Sequence, residues 1–188
     1  MSQQKINTKG LKLNTDGILR SATQIASPNF DARPDNEISL IVIHNISLPP
    51  SQYGGTGIIE LFTNGLNPNE HPYYAEIYTR KVSSHFLIRR DGALIQFVST
   101  LQRAWHAGVS QWQGRERCND FSVGIELEGC DFEAFEANQY KTLKQLIAGL
   151  QESYPIKAIV GHSDIAPGRK TDPGPYFDWD KINEINKH

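Results

Sequence analysis

Residues 157–175 read Lys157-Ala158-Ile159-Val160-Gly161-His162-Ser163-Asp164-Ile165-Ala166-Pro167-Gly168-Arg169-Lys170-Thr171-Asp172-Pro173-Gly174-Pro175. The apolar beginning of this stretch predicts a strand. The remainder is dense in glycine and proline, so it can continue neither a helix nor a central strand. Irregular backbone at the end of a buried strand is a common place for a functional site. This loop carries three polar groups able to do chemistry, namely His162, Lys170 and Asp172.

A second apolar strand is predicted by Leu40-Ile41-Val42-Ile43, and it ends in His44. Neutral imidazoles and carboxylates are zinc ligands, and a catalytic zinc takes three protein ligands and leaves the fourth position to water. His44, His162 and Asp172 are therefore a plausible ligand set. Histidines at strand ends are also common as hydrogen-bonded structural residues, and aspartate before proline is common in turns. Because no compact HExxH-type signature is present, spacing alone leaves both interpretations open.

Composition limits the class of protein. The 188 residues fit one domain, and 38% hydrophobic residues are enough for a core. A formal net charge of -2 gives no electrostatic reason to expect nucleic acid or an acidic membrane as partner. The N-terminal residues lack the apolar core of a signal peptide, and no run is long enough to span a bilayer. We therefore expect a cytoplasmic protein in which Cys118 and Cys130 are reduced thiols, with a disulfide between them as the less favoured alternative.

The order of predicted elements indicates an α/β fold with a central mixed β-sheet flanked by helices. Residues 1–26 are weakly patterned and are interpreted as an N-terminal surface segment that precedes one domain over residues 27–188. The apolar strand over about 39–45 does not alternate, which is typical of a strand covered on both faces. The other predicted elements are a strand near 17–21, a short helix near 58–62, a hairpin of 84–90 and 93–98, a short strand at 105–106, a strand over 121–128, and helices over 136–154 and about 178–187.

Two long loops and a pair of acids have open interpretations. Residues 63–80 form either an ordered surface loop or a wall over the site, and 108–120 form a second polar loop. Alternation along the 121–128 strand puts Glu126 and Glu128 on one face. They are either a solvated surface pair or include a buried general base, and the pattern does not choose between these alternatives.

Several ordered blocks of the sequence resemble the AmpD-type N-acetyl-anhydromuramyl-L-alanine amidases. These are a branch of the zinc amidase family that also contains peptidoglycan-recognition proteins and phage lysozyme-amidases. The likeness extends from about residue 27 to residue 179. The blocks that carry it are Val42-Ile43-His44-Asn45-Ile46-Ser47-Leu48-Pro49-Pro50, Phe86-Leu87-Ile88-Arg89-Arg90-Asp91-Gly92, Arg103-Ala104-Trp105-His106-Ala107-Gly108-Val109-Ser110, Gln113-Gly114-Arg115-Glu116-Arg117-Cys118-Asn119-Asp120-Phe121-Ser122, Gly124-Ile125-Glu126-Leu127-Glu128-Gly129 and Arg169-Lys170-Thr171-Asp172-Pro173-Gly174-Pro175.

The resemblance implies the zinc-amidase fold and a catalytic zinc at His44, His162 and Asp172. Zinc would polarise the scissile carbonyl and lower the pKa of a bound water. The resemblance selects Glu126 as the general base, which takes a proton from water and delivers it to the departing nitrogen. Lys170 is expected to stabilise the oxyanion.

The resemblance also implies the substrate, a soluble anhydromuramyl peptide cut between the lactyl group of the sugar and L-alanine. Arg117 is the matched candidate to bind a stem carboxylate, because a guanidinium binds carboxylate bidentately. Lys81 stands where the family more often has arginine. Asn45, Trp105 and His106 are further expected substrate contacts.

The resemblance implies a role in cytoplasmic peptidoglycan recycling, and two other functions are alternatives to it. One is a peptidoglycan-recognition module without catalysis, which the loss of a zinc ligand would favour, and all three matched positions are filled. The other is a general cell-wall amidase that acts on intact sacculus, which a signal peptide would favour. We expect a monomer that binds neither nucleic acid nor membrane.

Overall fold

The computed structural model describes residues 10–183. The strands are β1 (Thr23–Gln24), β2 (Phe30–Ala32), β3 (Leu40–Ile46), β4 (Phe86–Ile88), β5 (Leu94–Gln96), β6 (Gln102–Ala104), β7 (Gln111–Trp112), β8 (Arg115–Glu116), β9 (Ser122–Glu128) and β10 (Ala158–Gly161). The helices are α1 (Gly57–Phe62), α2 (Pro72–Ile77), α3 (Ala137–Ser153), α4 (His162–Ile165) and α5 (Asp180–Asn183), with a 3-10 turn at Cys118–Asp120.

A six-stranded sheet in the order β1-β5-β4-β9-β3-β10 forms the centre of the fold. β4 and β5 pair antiparallel around the predicted turn, while the other neighbouring strands pair parallel. The sheet is therefore mixed and flanked by helices, which confirms the predicted fold class.

The two faces of the sheet contact different parts of the protein. Ile41 and Ile43 of β3 and Ile125 of β9 lie in the cluster that packs under α3, while Leu40 and Val42 face the opposite cluster. The expectation that β3 is covered on both faces is confirmed. Because side chains alternate along a strand, the even-numbered residues that follow on β3 and β9 point away from α3, toward the functional site.

The 63–80 stretch is not purely a loop, because it contains α2. His71 caps this helix by accepting a hydrogen bond from the Tyr73 backbone N–H, and Pro72 occupies the first turn. Tyr74 and Ile77 are buried against a cluster that also contains residues of α1. The short helix predicted near 58–62 is confirmed as α1.

The described N-terminal residues are more than a surface segment. Leu19 is fully buried in the main core, and the Leu11 backbone N–H donates to the Gln145 carbonyl of α3. The prediction of a strand near residues 17–21 is wrong. An isolated bridge joins Leu13 to Leu19, and the strand that adds to the sheet edge is β1. The domain boundary at residue 27 stays a prediction.

Other elements differ from expectation mainly at their ends. β6 ends at Ala104, so Trp105 and His106 follow the strand instead of forming it. The polar loop over 108–120 contains the small β7–β8 hairpin and the 3-10 turn. The loop after β10 begins with the single helical turn α4, because its proline and glycine residues come only after Ala166.

The remaining helices follow the prediction closely. α3 begins one residue inside the predicted span, after a capping box between Glu136 and Gln139. The helix expected over about 178–187 is observed as α5, which begins at Asp180, so residues 178 and 179 precede the helix, and residues 184–187 lie outside the described residues. Within 10–183, no helix has the length and apolar character needed to cross a bilayer. Cys118 and Cys130 are both free thiols.

Candidate active site

Three candidate metal ligands converge at one edge of the sheet. The Nδ1 atoms of His44 and His162 are 3.0 Å apart, and Asp172 Oδ2 lies 2.9 Å from the first and 3.0 Å from the second. All three donor atoms lie within 4.8 Å of one another. Residues separated by more than a hundred positions in sequence therefore present two nitrogens and one oxygen to a common point.

The fold explains this convergence. His44 lies near the end of β3, and β10 pairs parallel with β3, so that Gly161 is opposite Ile43. His162 follows directly at the start of α4. The loop then returns, and the Ser163 backbone N–H donates to the Asp172 carbonyl at 2.9 Å. That hydrogen bond holds the carboxylate beside the two imidazoles.

The electrostatics of these groups suit a metal cation. Burial lowers the pKa of His44 to about 4, which keeps the imidazole neutral and able to coordinate. Burial alone would raise the pKa of Asp172, but the close contacts of its Oδ2 atom with the imidazoles of His162 and His44 outweigh burial and lower that pKa below its usual range, so the carboxylate is ionised. Neutral imidazoles and an ionised carboxylate are the donor set that zinc accepts, so the residues present fit this metal.

Glu126 stands next to the ligands on the neighbouring strand. It is the register partner of His44, only 7% exposed, and its Oε2 is a buried oxygen without a hydrogen-bond partner in the described part of the chain. Burial and the Asp172 carboxylate raise its pKa well above 4.5, while Lys170 acts in the opposite direction. A carboxyl group of this kind is suited to proton transfer near neutral pH.

The other acid of the strand has a structural environment. Glu128 is 2% exposed, and its Oε1 accepts hydrogen bonds from Arg89 at 2.7 Å and from the Gly54 backbone N–H at 2.8 Å. The Arg90 backbone N–H donates to its second oxygen. Both oxygens are therefore already hydrogen-bonded within the protein.

A cavity of about 330 Å³ opens over these groups. Its polar lining includes the candidate ligands and Glu126, and further lining residues come from the 46–50 segment, from α1 and α2, and from the residues after α2. The lining residues are His44, Asn45, Ile46, Ser47, Leu48, Pro50, Leu61, Phe62, Tyr73, Ile77, Arg80, Val82, Ser83, Trp105, His106, Glu126, His162, Lys170 and Asp172.

Four further predicted residues line this cavity, namely Asn45, Trp105, His106 and Lys170. Asn45 already donates to the Asp131 carboxylate and the Pro173 carbonyl, so its amide nitrogen is used within the protein. The indole N–H of Trp105 donates to Asp31 at 3.2 Å. Trp105 therefore has its ring, and not its N–H group, to offer to a ligand.

Two predicted substrate contacts are not brought to this cavity. The side chain of Arg117 is 69% exposed, pairs with Asp120 at 3.3 Å, and lines a separate groove with residues such as Arg169. Lys81 is exposed and does not line the cavity either, whereas its neighbour Arg80 does.

Tyr73, Ile77 and Arg80 line the cavity, which favours the interpretation of residues 63–80 as a wall over the site. The sequence-based prediction missed the helix α2 within this stretch and did not single out Arg80. A signal was present, because proline at the first helical position is typical of a helix start. The many Asn, Pro and Gly residues around α2 favoured a loop instead.

Comparison with known proteins identifies the family. The N-acetylmuramoyl-L-alanine amidase family matches residues 34–175, a span that contains all three candidate ligands, Glu126 and Lys170. The 1,6-anhydro-N-acetylmuramyl-L-alanine amidase AmpD of Escherichia coli is 55% identical over 172 residues, which cover 90% of this chain and 94% of that protein. AmpD of Haemophilus influenzae is 53% identical over 169 residues, which cover 88% and 92%.

Solved structures agree with the sequence matches. A crystal structure of a selenomethionine AmpD derivative superposes with a TM-score of 0.90 at 52% identity, covering 92% of this chain and 98% of that one. The Escherichia coli amidase AmiD, in complex with the substrate anhydro-N-acetylmuramic acid-L-Ala-D-γ-Glu-L-Lys, gives a TM-score of 0.60 at 28% identity and covers 93% and 65%. The chain therefore belongs to the N-acetylmuramoyl-L-alanine amidase family, within its AmpD-type branch, and is an amidase.

Proposed function

We propose that this amidase depends on zinc and hydrolyses the amide bond between the lactyl group of anhydro-N-acetylmuramic acid and L-alanine of the peptide stem. The observation that carries the proposal is the convergence of His44, His162 and Asp172 beside the buried Oε2 of Glu126, to which no residue within 10–183 donates a hydrogen bond. A recognition module without catalysis has no need for a buried carboxyl group beside the candidate metal ligands.

His44 and His162 would hold the metal through Nδ1, and Asp172 would hold it through Oδ2. A zinc ion bound there supplies Lewis-acid polarisation of the scissile carbonyl and lowers the pKa of a bound water. The protein supplies the remaining functions, which are the transfer of protons, the stabilisation of developing charge and the orientation of the substrate.

Glu126 performs the proton transfers in this proposal. Its raised pKa brings the carboxyl group closer to the operating pH, where it accepts the proton of the attacking water at Oε2 and then delivers it to the departing alanine nitrogen. Lys170 lines the same cavity and donates a charged hydrogen bond to the oxyanion that develops on the carbonyl oxygen.

The substrate part of the proposal rests on the relatives and on the shape of the cavity. The AmpD relatives are named as amidases of the 1,6-anhydro sugar, and a solved structure of AmiD is a complex with an anhydromuramyl tripeptide. The internal ether bridge of that sugar locks its ring, so a cavity fitted to the locked ring can distinguish it from the open, reducing sugar. Trp105 offers a ring face to the substrate, and Arg80 offers a guanidinium to a stem carboxylate.

The proposal extends to the location and the oligomeric state of the protein. We propose a cytoplasmic monomer that acts on soluble recovered muropeptides, supported by the two free thiols, which are typical of reducing compartments. Arg117 and Lys81 stay predicted contacts for a longer stem that extends beyond the cavity.

The test is hydrolysis measured on matched substrates. We expect the zinc-loaded protein to release peptides with a new N-terminal alanine from anhydromuramyl peptides, with a higher kcat/KM than on the corresponding reducing muramyl peptides. Release of fragments from intact sacculus, measured in parallel, should be slow. Equal constants on the two sugars or efficient solubilisation of sacculus would favour a general cell-wall amidase. Binding without cleavage would favour a recognition module.

A further inference from the structure

The Nε2 atom of His162, which is not one of the candidate metal-binding atoms, is hydrogen-bonded to the protein backbone. His162 Nε2 lies 3.0 Å from the carbonyl oxygen of Ala107. A carbonyl oxygen only accepts hydrogen bonds, so in neutral His162 the proton is on Nε2 and the lone pair is on Nδ1. Arg169 donates to the same carbonyl oxygen at 2.8 Å, which further fixes its position.

The Nε2 atom of His44 is hydrogen-bonded to His106, and the contacts of His106 show which of the two rings carries the proton between them. The Ser122 hydroxyl lies 2.6 Å from the Cys118 carbonyl and 3.1 Å from His106 Nε2. A hydroxyl has one proton, and the shorter contact is to a group that can only accept. Ser122 therefore donates to Cys118 and accepts from His106 Nε2–H. Neutral His106 then carries its lone pair on Nδ1.

That lone pair determines the tautomer of the metal ligand. His106 Nδ1 is 2.9 Å from His44 Nε2, so His44 must donate and carry its proton on Nε2. The lone pair of His44 is consequently on Nδ1. Both candidate ligands thus present bare Nδ1 atoms, 3.0 Å apart, and a cation between them and Asp172 would satisfy all three acceptors.

The side chain of Asn119 fixes the backbone of both His106 and Ala107, the two residues that contact the histidine ligands. The Oδ1 atom of Asn119 accepts hydrogen bonds from the backbone N–H groups of His106 at 3.2 Å and Ala107 at 2.8 Å. The neighbouring strand leaves room for the ring, since a Cβ atom at Gly124 would lie 2.5 Å from His106 Cγ. The segment His106-Ala107 is therefore fixed on two sides.

We propose that the His106-Ala107 segment, held by Asn119, is a positioning element that sets both histidine ligands as Nε2–H tautomers and so directs both Nδ1 lone pairs at the metal. His106 is then a positioning residue and not a substrate contact, because both of its ring nitrogens are used within the protein. This inference rests on the proposed metal site. Partners of this kind, which bind the second nitrogen of a ligand, typically change metal affinity by about 10–100-fold when they are removed.

The first experiment compares His106→Leu, which removes the acceptor, with His106→Asn, which keeps a side-chain oxygen near the position of Nδ1. Zinc affinity is measured by competition with a chromophoric chelator. We expect the dissociation constant of His106→Leu to rise by about 10–100-fold and that of His106→Asn to stay close to the wild-type value. Equal affinity of His106→Leu and wild type would overturn the role of His106.

The second readout needs no metal. Long-range proton–nitrogen NMR spectra of the metal-free protein report which imidazole nitrogen carries the proton. We expect His44 and His162 of wild type to be protonated on Nε2, and His44 of His106→Leu to become a mixture of tautomers. An Nδ1–H signature for His44 in wild type would overturn the assignment.

The role of Asn119 is tested with a matched pair that leaves the ligand contacts themselves intact. Asn119→Asp keeps an acceptor for both backbone N–H groups, whereas Asn119→Leu removes it. We expect Asn119→Leu to weaken zinc binding and Asn119→Asp to retain it. Unchanged tautomers and affinity in both leucine variants would overturn this inference alone. Wild-type protein that shows both Nε2–H signatures but binds no zinc would overturn the proposed function instead.

Discussion

His44 and Glu126 are register partners on the adjacent parallel strands β3 and β9. Both side chains leave the sheet on the face opposite α3, so the candidate ligand and the candidate base stand side by side on rigid backbone. Both are largely buried, at 2% and 7% exposed. Their spacing is therefore set by the sheet and not by a loop, which favours accurate catalytic geometry.

The role of Glu126 is tested by Glu126→Gln, which keeps the shape of the side chain and removes its basicity. We expect the variant to bind zinc and substrate normally and to lose a factor of roughly a hundred or more in kcat. Steady-state kinetics with zinc analysis of the same samples checks this. Near-normal turnover would contradict the role, and Glu128 is a poor substitute because both of its oxygens are already hydrogen-bonded.

The same substitution should change stability in a pH-dependent way. Burial raises the pKa of Glu126 in the folded state well above the ordinary 4.5, so between those two values the folded state binds more protons than the unfolded state. The stability contributed by the protonated carboxyl group is fully present below about pH 4.5 and is lost as pH rises through the folded-state pKa.

Glutamine does not ionise, so Glu126→Gln does not lose folding stability as the pH rises. The metal-free variant should therefore be more stable than metal-free wild type at neutral pH, and the difference in the free energy of unfolding should shrink toward acid pH. Denaturant unfolding at a series of pH values measures it. A difference that is independent of pH, or that grows toward acid pH, would contradict the raised pKa.

Arg80 and Lys81 are a natural pair for testing the stem contact, because they are adjacent, basic and exposed, and the cavity is lined by Arg80 and not by Lys81. We expect Arg80→Ala to raise KM by roughly tenfold or more with a smaller effect on kcat, since a charged hydrogen bond to a stem carboxylate is lost. Lys81→Ala should change KM little. A larger rise in KM for Lys81→Ala than for Arg80→Ala would assign the stem contact to Lys81. The KM of Arg117→Ala, measured in the same assay, tests the remaining candidate.

The described N-terminal residues should contribute to stability as a part of the core. Leu19 is fully buried, so Leu19→Ala should lower the free energy of unfolding by about 2–5 kcal/mol. Leu101→Ala is the matched control, because Leu101 is 40% exposed and should lose much less. Similar small losses for both variants in denaturant unfolding would show that this segment packs only loosely.

The apolar runs and the single long helical pattern allowed the central elements to be predicted. Short apolar runs predicted the strands β3, β9 and β10, and apolar residues at helical spacing predicted α3. Because His44 and His162 come at the ends of β3 and β10, they could be predicted to lie at one edge of the sheet. The choice of Glu126 over Glu128 was not contained in the alternation, because both acids share one face. It needed either the family resemblance or the contacts that occupy Glu128.

What the sequence did not reveal depends on contacts between distant segments. Asn119 and Ser122 are ordinary polar residues in sequence, and only the fold brings their side chains to the segment that anchors the ligands. The placement of Arg80 instead of Lys81 follows from the end of α2, which polar loop composition obscured. Arg117 was assigned by resemblance, and its side chain lies over a neighbouring groove.

The zinc content of purified protein shows whether His44, His162 and Asp172 form a metal site. After expression with trace zinc and removal of loosely bound metal, elemental analysis should find about one zinc per chain in wild type and almost none in His44→Ala. His71→Asn is the control, because it removes another histidine while keeping a residue able to cap α2. It should retain the metal. Zinc retained in His44→Ala at the wild-type level, or absent from wild type, would contradict the account.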